Sequence, residues 1–138
     1  MSKKMNLKII TPEKVLVDEQ VDAVFSKAID GEFGILSEHI PFMTVLDIGV
    51  TRYLKDNNYE FVSIVGGTFQ VSDNNVIILS DAAEFGEEID LTRAKAAKER
   101  AEARLRAAPR DLDIHRAEIA LSRAIARIQA ATKNKPGF

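Results

Sequence analysis

The first part of the chain consists of short runs in which apolar and polar residues often alternate, as Val21, Ala23 and Phe25 do against Asp22 and Ser26. A period of two residues is typical of strands that bury one face. Turn residues separate the runs at intervals of about 8 to 12 residues, which favours an antiparallel sandwich or barrel over a parallel sheet. The strand-like runs are residues 6–11, 14–29, 49–56, 59–66, 68–72 and 75–80, and the turn signals lie at 11–14, 30–34, 56–58, 66–67 and 72–75.

The pattern becomes helical towards the end of the chain. Residues 91–106 contain neither Gly nor Pro, and their apolar residues recur at helical spacing. Pro109 interrupts the pattern, and a second helix is predicted over residues 111–131. Because the connection is short, we expect an antiparallel helical hairpin. The predicted apolar seams are Ala94, Ala97, Ala101 and Leu105 in the first helix, and Ile114, Ala117, Leu121, Ile125 and Ile128 in the second.

Charge divides the chain at the same place. Residues 1–86 hold 7 Lys and Arg against 13 Asp and Glu, whereas residues 87–138 hold 12 against 8. The sequence therefore predicts two domains, a β-sandwich over 1–86 and a helical hairpin over 87–138.

The composition narrows the class of protein further. The chain has no Cys, so neither disulfides nor thiolate chemistry is expected, and a reducing compartment is mildly favoured. No apolar run approaches the roughly 20 residues that span a bilayer, and the start lacks the long apolar stretch of a signal peptide. We expect the protein to remain on the side of the membrane where it is made.

The two helices carry arginine sets with the same spacing. At about 100° per residue each set falls on one flank of its helix, and an antiparallel hairpin turns the two flanks to the same side. Each set contains like charges four residues apart, which cost about 0.2–0.5 kcal/mol per pair in an isolated helix. A polyphosphate would offset that repulsion because several guanidinium groups can share its oxygens. An ordinary solvated face is the alternative. The sets are Arg93, Arg100 and Arg104, and Arg116, Arg123 and Arg127.

The segment "EIDLTRA" opens the first helix. Asp90 stands at the position of an N-cap, but a capping box would place Glu or Gln where this chain has Arg93. Arg93 lies in the first turn, where free N–H groups and the helix dipole favour an anion. Asp90 is therefore predicted to cap the helix and also to contact a ligand. Glu84 is either a surface acid or a ligand acceptor.

Motifs of catalysis are absent. There is no GxxxxGK[ST] phosphate loop, and Gly66 and Gly67 are interpreted as a tight turn between strands. The two histidines, His39 and His115, have no partners at metal-ligand spacing. The sequence predicts a protein that is not an enzyme.

Two motifs, in this order and at this spacing, resemble the epsilon subunit of bacterial F-type ATP synthases. "DGEFGILSEHIP" is similar to the family's G-E-x-G-I-L-P-x-H-x-P segment, with Ser37 in place of the usual proline, and "IDLTRA" is similar to its I/L-D-x-x-R-A nucleotide motif. The resemblance covers almost the whole chain. The matching positions are Gly31, Glu32, Gly34, Ile35, Leu36, His39 and Pro41 in the first motif, and Ile89, Asp90, Arg93 and Ala94 in the second.

The resemblance implies a ten-stranded sandwich that attaches to the gamma subunit and the c-ring within the central rotor stalk. The loop at residues 31–41 would lie at that end, with Glu32 contacting the ring and His39 contacting gamma. The implied interface residues are Gly31, Glu32, Gly34, His39 and Pro41.

The resemblance also implies a switch. In the family the hairpin folds against the sandwich or extends towards the catalytic alpha and beta subunits, where it restrains ATP hydrolysis, and members related to bacilli bind ATP in the folded form. This makes the chain a non-catalytic subunit of the proton-translocating enzyme, held indirectly at the cytoplasmic face of the cell membrane. ATP would be a regulatory ligand, with the need for Mg²⁺ open. The implied ATP contacts are Glu84, Ile89, Asp90, Arg93, Ala94, Arg100, Arg123 and Arg127.

Two other functions remain open from the residues alone. The chain could be a free-standing ATP-sensing module that needs no rotor. Its basic hairpin could instead bind an acidic protein or nucleic acid, which predicts steep salt dependence and little preference among nucleotides. With a net charge of −2, we expect no nucleic-acid partner.

Overall fold

The computed structural model of the protein describes residues 3–107 and 110–133. Within them eight strands precede two helices, so a mainly β first part and a helical second part are confirmed. The strands are β1 (Met5–Ile10), β2 (Val15–Val21), β3 (Ala23–Ala28), β4 (Gly31–Leu36), β5 (Phe42–Lys55), β6 (Asn58–Ser72), β7 (Asn75–Leu79) and β8 (Ala83–Phe85), and a short 3₁₀ helix, Gly86–Glu88, leads to α1 (Leu91–Arg106) and α2 (Asp111–Ala131).

The strands follow the order β2-β1-β7-β6-β5-β3-β4, and β8 pairs with β6 outside that order. Their pairing is antiparallel, as predicted, except that β1 and β7 run parallel, with Asn6 opposite Asn75 and Ile10 opposite Leu79. The prediction of a wholly antiparallel sheet was wrong at this pair. Turn residues fix the direction only of strands that a short turn joins, and β1 and β7 are far apart in sequence.

Two long strands explain why the described residues contain eight strands and not ten. β5 has 14 residues and β6 has 15. β6 pairs with β8 over residues 62–64 and with β7 over residues 68–72. Between these halves Gly66 and Gly67 have φ of 65° and 123°, and a Cβ at Gly67 would lie 1.9 Å from the Leu79 carbonyl oxygen. The two glycines therefore bend β6 instead of forming the predicted turn. Each half of β6 pairs with a different neighbour, as two separate strands would.

Two other boundaries differ from the prediction. Residues 30–34, predicted as a turn, mostly belong to β4, which pairs with β3 from Gly31 onwards. The single run at residues 14–29 is divided into β2 and β3 at Asp22. β4 continues through polar and glycine residues because β3 supplies its hydrogen bonds.

The core of the sandwich is built from large side chains. Phe69 has 0% exposure, and the ring of Phe33 meets it edge-on with centroids 4.8 Å apart. Burial raises the pKa of the Tyr53 phenol well above its usual range, so its hydroxyl stays neutral. The largest fully buried side chains are Tyr53, Phe69, Met5, Leu7, Ile9, Ile35, Ile64, Ile78, Val21, Val24, Val62 and Val71.

Both helices have the bounds that the sequence predicts. They pack against each other, and α2 also contacts β5, β6 and the 3₁₀ helix. Ala94 and Ala101 of α1 are buried as predicted, but Ile125 of α2 is 37% exposed and does not lie on a buried seam. Closely packed helices leave room for methyl groups and not for a branched side chain. The buried residues of α2 are Ala117, Ala124, Ala126 and Ala130.

Candidate nucleotide site and docking surface

A short linker joins the sandwich to the hairpin and touches the end of α2. β8 pairs with β6 through Glu84, and the 3₁₀ helix follows directly. Gly86 is buried, and a Cβ placed on it would lie 2.1 Å from the carbonyl oxygen of Ala130. Only a glycine lets the two backbones approach this closely. Nearby, Lys133 and Glu87 form an ion pair of 3.5 Å.

An arginine ion pair joins this linker to α2. Arg127 Nε lies 2.9 Å from Oε1 of Glu84, and its Nη2 donates a hydrogen bond of 3.3 Å to Oε2. The guanidinium therefore contacts both oxygens of one carboxylate, which is the two-point geometry typical of arginine–carboxylate pairs. The structure thus brings together two of the predicted site residues.

Asp90 is the N-cap of α1, which confirms that part of its predicted role. Its Oδ1 accepts a hydrogen bond of 3.1 Å from the backbone N–H of Arg93, and its carbonyl oxygen accepts one of 3.0 Å from the N–H of Ala94. The side chain of Arg93 is exposed. The start of α1 therefore combines a fixed carboxylate with a free guanidinium.

Small apolar residues lie beside these charges. Ile89 and Ala94, two of the predicted contacts, are 8% and 0% exposed, and they share a cluster with Phe61 and Ala130. The first turn of α1 and the last turn of α2 are therefore in contact. The cluster holds the linker, both helices and β6 together at one place.

The remaining predicted contacts, Arg100 and Arg123, are exposed. The basic flank is therefore open to solvent. Of the eight predicted contacts, six lie around the linker and the adjoining helix ends, namely Glu84, Ile89, Asp90, Arg93, Ala94 and Arg127.

The loop of the first motif lies at the far edge of the sheet. Gly31, with φ of 134°, begins β4, and Glu32 and Gly34 are exposed on that strand. His39 Nδ1 lies 2.7 Å from the carbonyl oxygen of Ile40, and Pro41 is exposed. Glu32 and Gly34 also line a cavity between the sheet and α2.

Sequence reasoning missed a row of five residues on the outer face of the sheet, four of them apolar, which we call the apolar row. Directly paired residues share one face, so their side chains form a continuous strip across five strands. Three of them, Val15, Val45 and Leu79, are 54%, 52% and 50% exposed. Strands with apolar residues on both faces, such as residues 76–79, are the sequence signal of a second covered face. In order across the sheet the row is Val15, Ile10, Leu79, Thr68 and Val45.

The exposed apolar surface continues next to that row. Met43 lies two residues before Val45 on β5 and is 68% exposed, and Ile29, whose N–H bonds to the Val45 carbonyl, is 69% exposed. In the loop of the first motif, Leu36 and Ile40 are 61% and 75% exposed. So much exposed apolar surface is typical of a binding site for another protein.

No helix within residues 3–107 and 110–133 is both long and apolar enough to cross a bilayer. Two family models match the chain in succession. Residues 4–86 match the beta-sandwich domain of the ATP synthase delta/epsilon chain, and residues 87–132 match its long alpha-helix domain.

Individual proteins give the same result. The ATP synthase epsilon chain of Carboxydothermus hydrogenoformans is 46% identical over 105 residues, which cover 76% of this chain and 78% of that relative. The ATP synthase epsilon chain of Symbiobacterium thermophilum is 52% identical over 103 residues, 74% of each chain. Among solved structures, the chain is similar to one in the Euglena gracilis mitochondrial ATP synthase, in a structure of its OSCP, F1 and c-ring. The TM-score is 0.82 and the identity 26%, and the match covers 94% of this chain and 81% of that one.

Proposed function

The chain belongs to the delta/epsilon chain family of ATP synthase, and we propose that it is a non-catalytic central-stalk subunit whose C-terminal helices restrain ATP hydrolysis in an ATP-sensitive way. In this role it links the c-ring to the catalytic part of a proton-translocating enzyme. It is held at the cytoplasmic face of the membrane through the complex.

The docking side of the sandwich is the apolar row with its neighbours. Their exposed apolar side chains would gain about 25 cal/mol for each Å² that a partner removes from water. We assign this surface to contacts with the gamma subunit. We assign the loop at residues 31–41 to contacts with both partners, Glu32 with the c-ring and His39 with gamma. The apolar row lies outside the cavity that faces α2, so the helices can move while a partner covers the row.

The helices form an antiparallel hairpin in this proposal. Support comes from Ala94 at the start of α1 and Ala130 at the end of α2, which share one cluster, while only a short connection separates the other two helix ends. Released from the sandwich, the hairpin would carry its arginines towards the alpha and beta subunits.

The single observation that carries the nucleotide site is the Glu84–Arg127 contact at the linker. The Arg127 guanidinium already holds an anionic group here, and a phosphate oxygen could take the place of the Glu84 carboxylate. Exposed Arg93, Arg100 and Arg123 supply further forked donors, and the Asp90 carboxylate can accept from a ribose or base. These donors and acceptors fit ATP.

A ligand that binds only the folded hairpin shifts its equilibrium by mass action. At a hundredfold excess over its dissociation constant, it stabilises that state by about 2.7 kcal/mol, which is about a hundredfold in population. High ATP would keep the helices on the sandwich. Low ATP would release them to restrain hydrolysis, and so conserve ATP.

The nucleotide site is tested by titrating ATP into the full chain, with and without Mg²⁺, while a dye pair reports the distance between α2 and the sandwich. We expect Arg93→Ala and Arg127→Ala to weaken ATP binding about 10- to 100-fold, because each removes a charge-assisted hydrogen bond. Arg106→Ala, also an exposed arginine of α1, is the matched control and should bind normally. If ATP neither binds nor compacts the chain, the switch is wrong, while the stalk assignment stands.

The stalk assignment is tested by co-purification with the other ATP synthase subunits. Val45→Lys places a charge in the apolar row and should abolish assembly, whereas Thr92→Lys on the exposed side of α1 should not. If the protein were a free-standing ATP sensor, neither substitution would affect its function. A nucleic-acid binder would instead show steep salt dependence and lose affinity with the arginines of the hairpin.

A further inference from the structure

A second site lies between the sandwich and α2. A cavity of about 490 Å³ opens there, and none of the eight predicted ATP contacts lines it. Its size is within the range of about 300–1,000 Å³ that is usual for small-molecule sites, and far above the packing voids of protein interiors, which rarely exceed one water. The cavity is therefore too large to be a defect in packing.

Aromatic and aliphatic side chains from both the sandwich and α2 form part of the cavity wall. Phe25, Phe33 and Phe61 line the sandwich side, and Ile125 and Ala126 line the helix side. Ile125 keeps 37% of its surface exposed, whereas the neighbouring Ala126 is 2% exposed. An apolar occupant would cover that isoleucine.

Two glycines shape the sandwich wall. A Cβ on Gly34 would lie 2.6 Å from the ring of Phe25, and one on Gly49 would lie 3.0 Å from the side chain of Lys27. The ring and the lysine stem therefore lie directly over glycine backbone and leave the space above them open. The wall is formed before any ligand arrives.

Charges around the cavity are balanced. Lys27 lies 3.9 Å from Asp47, and the guanidinium of Arg52 lies 4.2 Å from the centre of the Phe25 ring and 4.7 Å from that of Tyr59. With Glu32, the lining carries two cations and two anions. A charged ligand would lose its hydration without gaining an uncompensated partner, so the lining favours an uncharged one.

Polar groups for orientation come from α2. Ser122 and Gln129 line the cavity, and within the described residues neither side chain has a hydrogen-bond partner. A ligand with one donor or acceptor could engage either group. Because these residues move with the helix, such a ligand would be held only while α2 lies on the sandwich.

We propose that this cavity binds a small uncharged molecule with aromatic rings and a hydrogen-bonding group, and that its occupancy stabilises α2 against the sandwich. The site is separate from the nucleotide site, since Arg127 and the linker are not part of its lining. By linkage, a ligand that requires both walls raises the population of the docked helix.

The test uses the full chain and two related fluorescent probes. N-phenyl-1-naphthylamine is uncharged, and its emission rises in apolar surroundings. We expect saturable binding at one site per chain. The sulfonate analogue 1-anilino-8-naphthalenesulfonate adds a negative charge to the same ring system and should bind at least tenfold more weakly. Equal or tighter binding of the sulfonate would overturn the assignment to uncharged ligands.

Matched substitutions locate the probe. Ile125→Ala removes part of the cavity wall and should weaken binding about tenfold, whereas Ile119→Ala, equally exposed on the same helix but outside the lining, should leave it unchanged. Ala126→Leu fills the space and should also weaken binding, although it adds apolar surface. Equal loss in both isoleucine variants, or binding that does not saturate, would overturn the site.

Hydrogen exchange supplies the second readout. Amides of residues 122–129 should exchange more slowly when the naphthylamine probe is bound, and this protection should persist in Arg93→Ala. Binding without added protection would overturn the stabilising role of the ligand. If Arg93→Ala no longer responds to ATP but keeps the slower amide exchange when the probe is bound, the cavity and the nucleotide site are distinct.

Discussion

Large side chains fill the interior of the sandwich, whereas small side chains fill the contact surfaces of the helices. In the sandwich, Phe69, Tyr53 and Ile78 are at most 1% exposed, whereas in the helices Ala94 and Ala130 fill the equivalent buried positions. Full burial of a large apolar side chain contributes about 1.5–3 kcal/mol, and a single methyl group about 0.8 kcal/mol. The first region is therefore built to stay folded. In the second region, small side chains let the helices pack closely but contribute little free energy, so the helices can still separate.

The largest expected effect tests the sandwich side of this comparison. Phe69→Ala removes a fully buried ring and leaves a cavity, so the free energy of unfolding should fall by about 3–5 kcal/mol. Urea denaturation followed by circular dichroism measures it. Ile128→Ala, at a partly buried position of α2, should cost less than half as much. Equal losses would mean that the hairpin is bound as firmly as the core.

The next effect should release the helices and leave the sandwich intact. Gly86→Ala places a methyl group 2.1 Å from the Ala130 carbonyl oxygen, so α2 must move away, at a cost of about 1–3 kcal/mol. Amide exchange in α2 should accelerate, while that of β6 stays unchanged. Gly49→Ala is the control because the atoms nearest to its new methyl group would belong to the flexible Lys27 side chain. Unchanged exchange in α2 would contradict the role of Gly86 as the close contact.

The two regions also differ in how far the sequence predicted them. The bounds of α1 and α2 follow from local features, namely helical spacing and Pro109, so the sequence predicts them. The bend at Gly66 and the parallel β1–β7 pair depend on strands that are distant in sequence, and no local pattern contains them. Helix bounds can be predicted from neighbouring residues, whereas strand pairing depends on contacts between residues that are distant in sequence.

The candidate site divides in the same way. The cap formed by Asp90 depends on residues three positions apart and was predicted. The contact between Glu84 and Arg127 joins residues 43 positions apart, and it requires the hairpin to lie on the sandwich. The apolar row was missed because alternation identifies an inner face but does not say whether a partner covers the outer one.

A smaller effect is expected at the start of α1. Asp90→Ala removes the side-chain oxygen that accepts from the Arg93 N–H, which should cost about 1 kcal/mol of helix stability. Asp90→Asn keeps an acceptor and should retain most of that stability. Thermal unfolding of the hairpin, followed by a probe on α1, measures both. If Asn were as damaging as Ala, the charge of Asp90 would matter more than its cap.

The smallest effect belongs to the Glu84–Arg127 pair. The two side chains are 46% and 30% exposed, so solvent screens their attraction, and a double-mutant cycle with Glu84→Gln and Arg127→Gln should give a coupling of about 0.2–1 kcal/mol. The coupling should shrink further at high salt because a partly exposed pair is screened. So weak a pair suits a linker contact that a phosphate must displace. A coupling well above 2 kcal/mol, insensitive to salt, would instead make this pair a permanent lock between hairpin and sandwich, and the difference between the two regions would disappear at the linker.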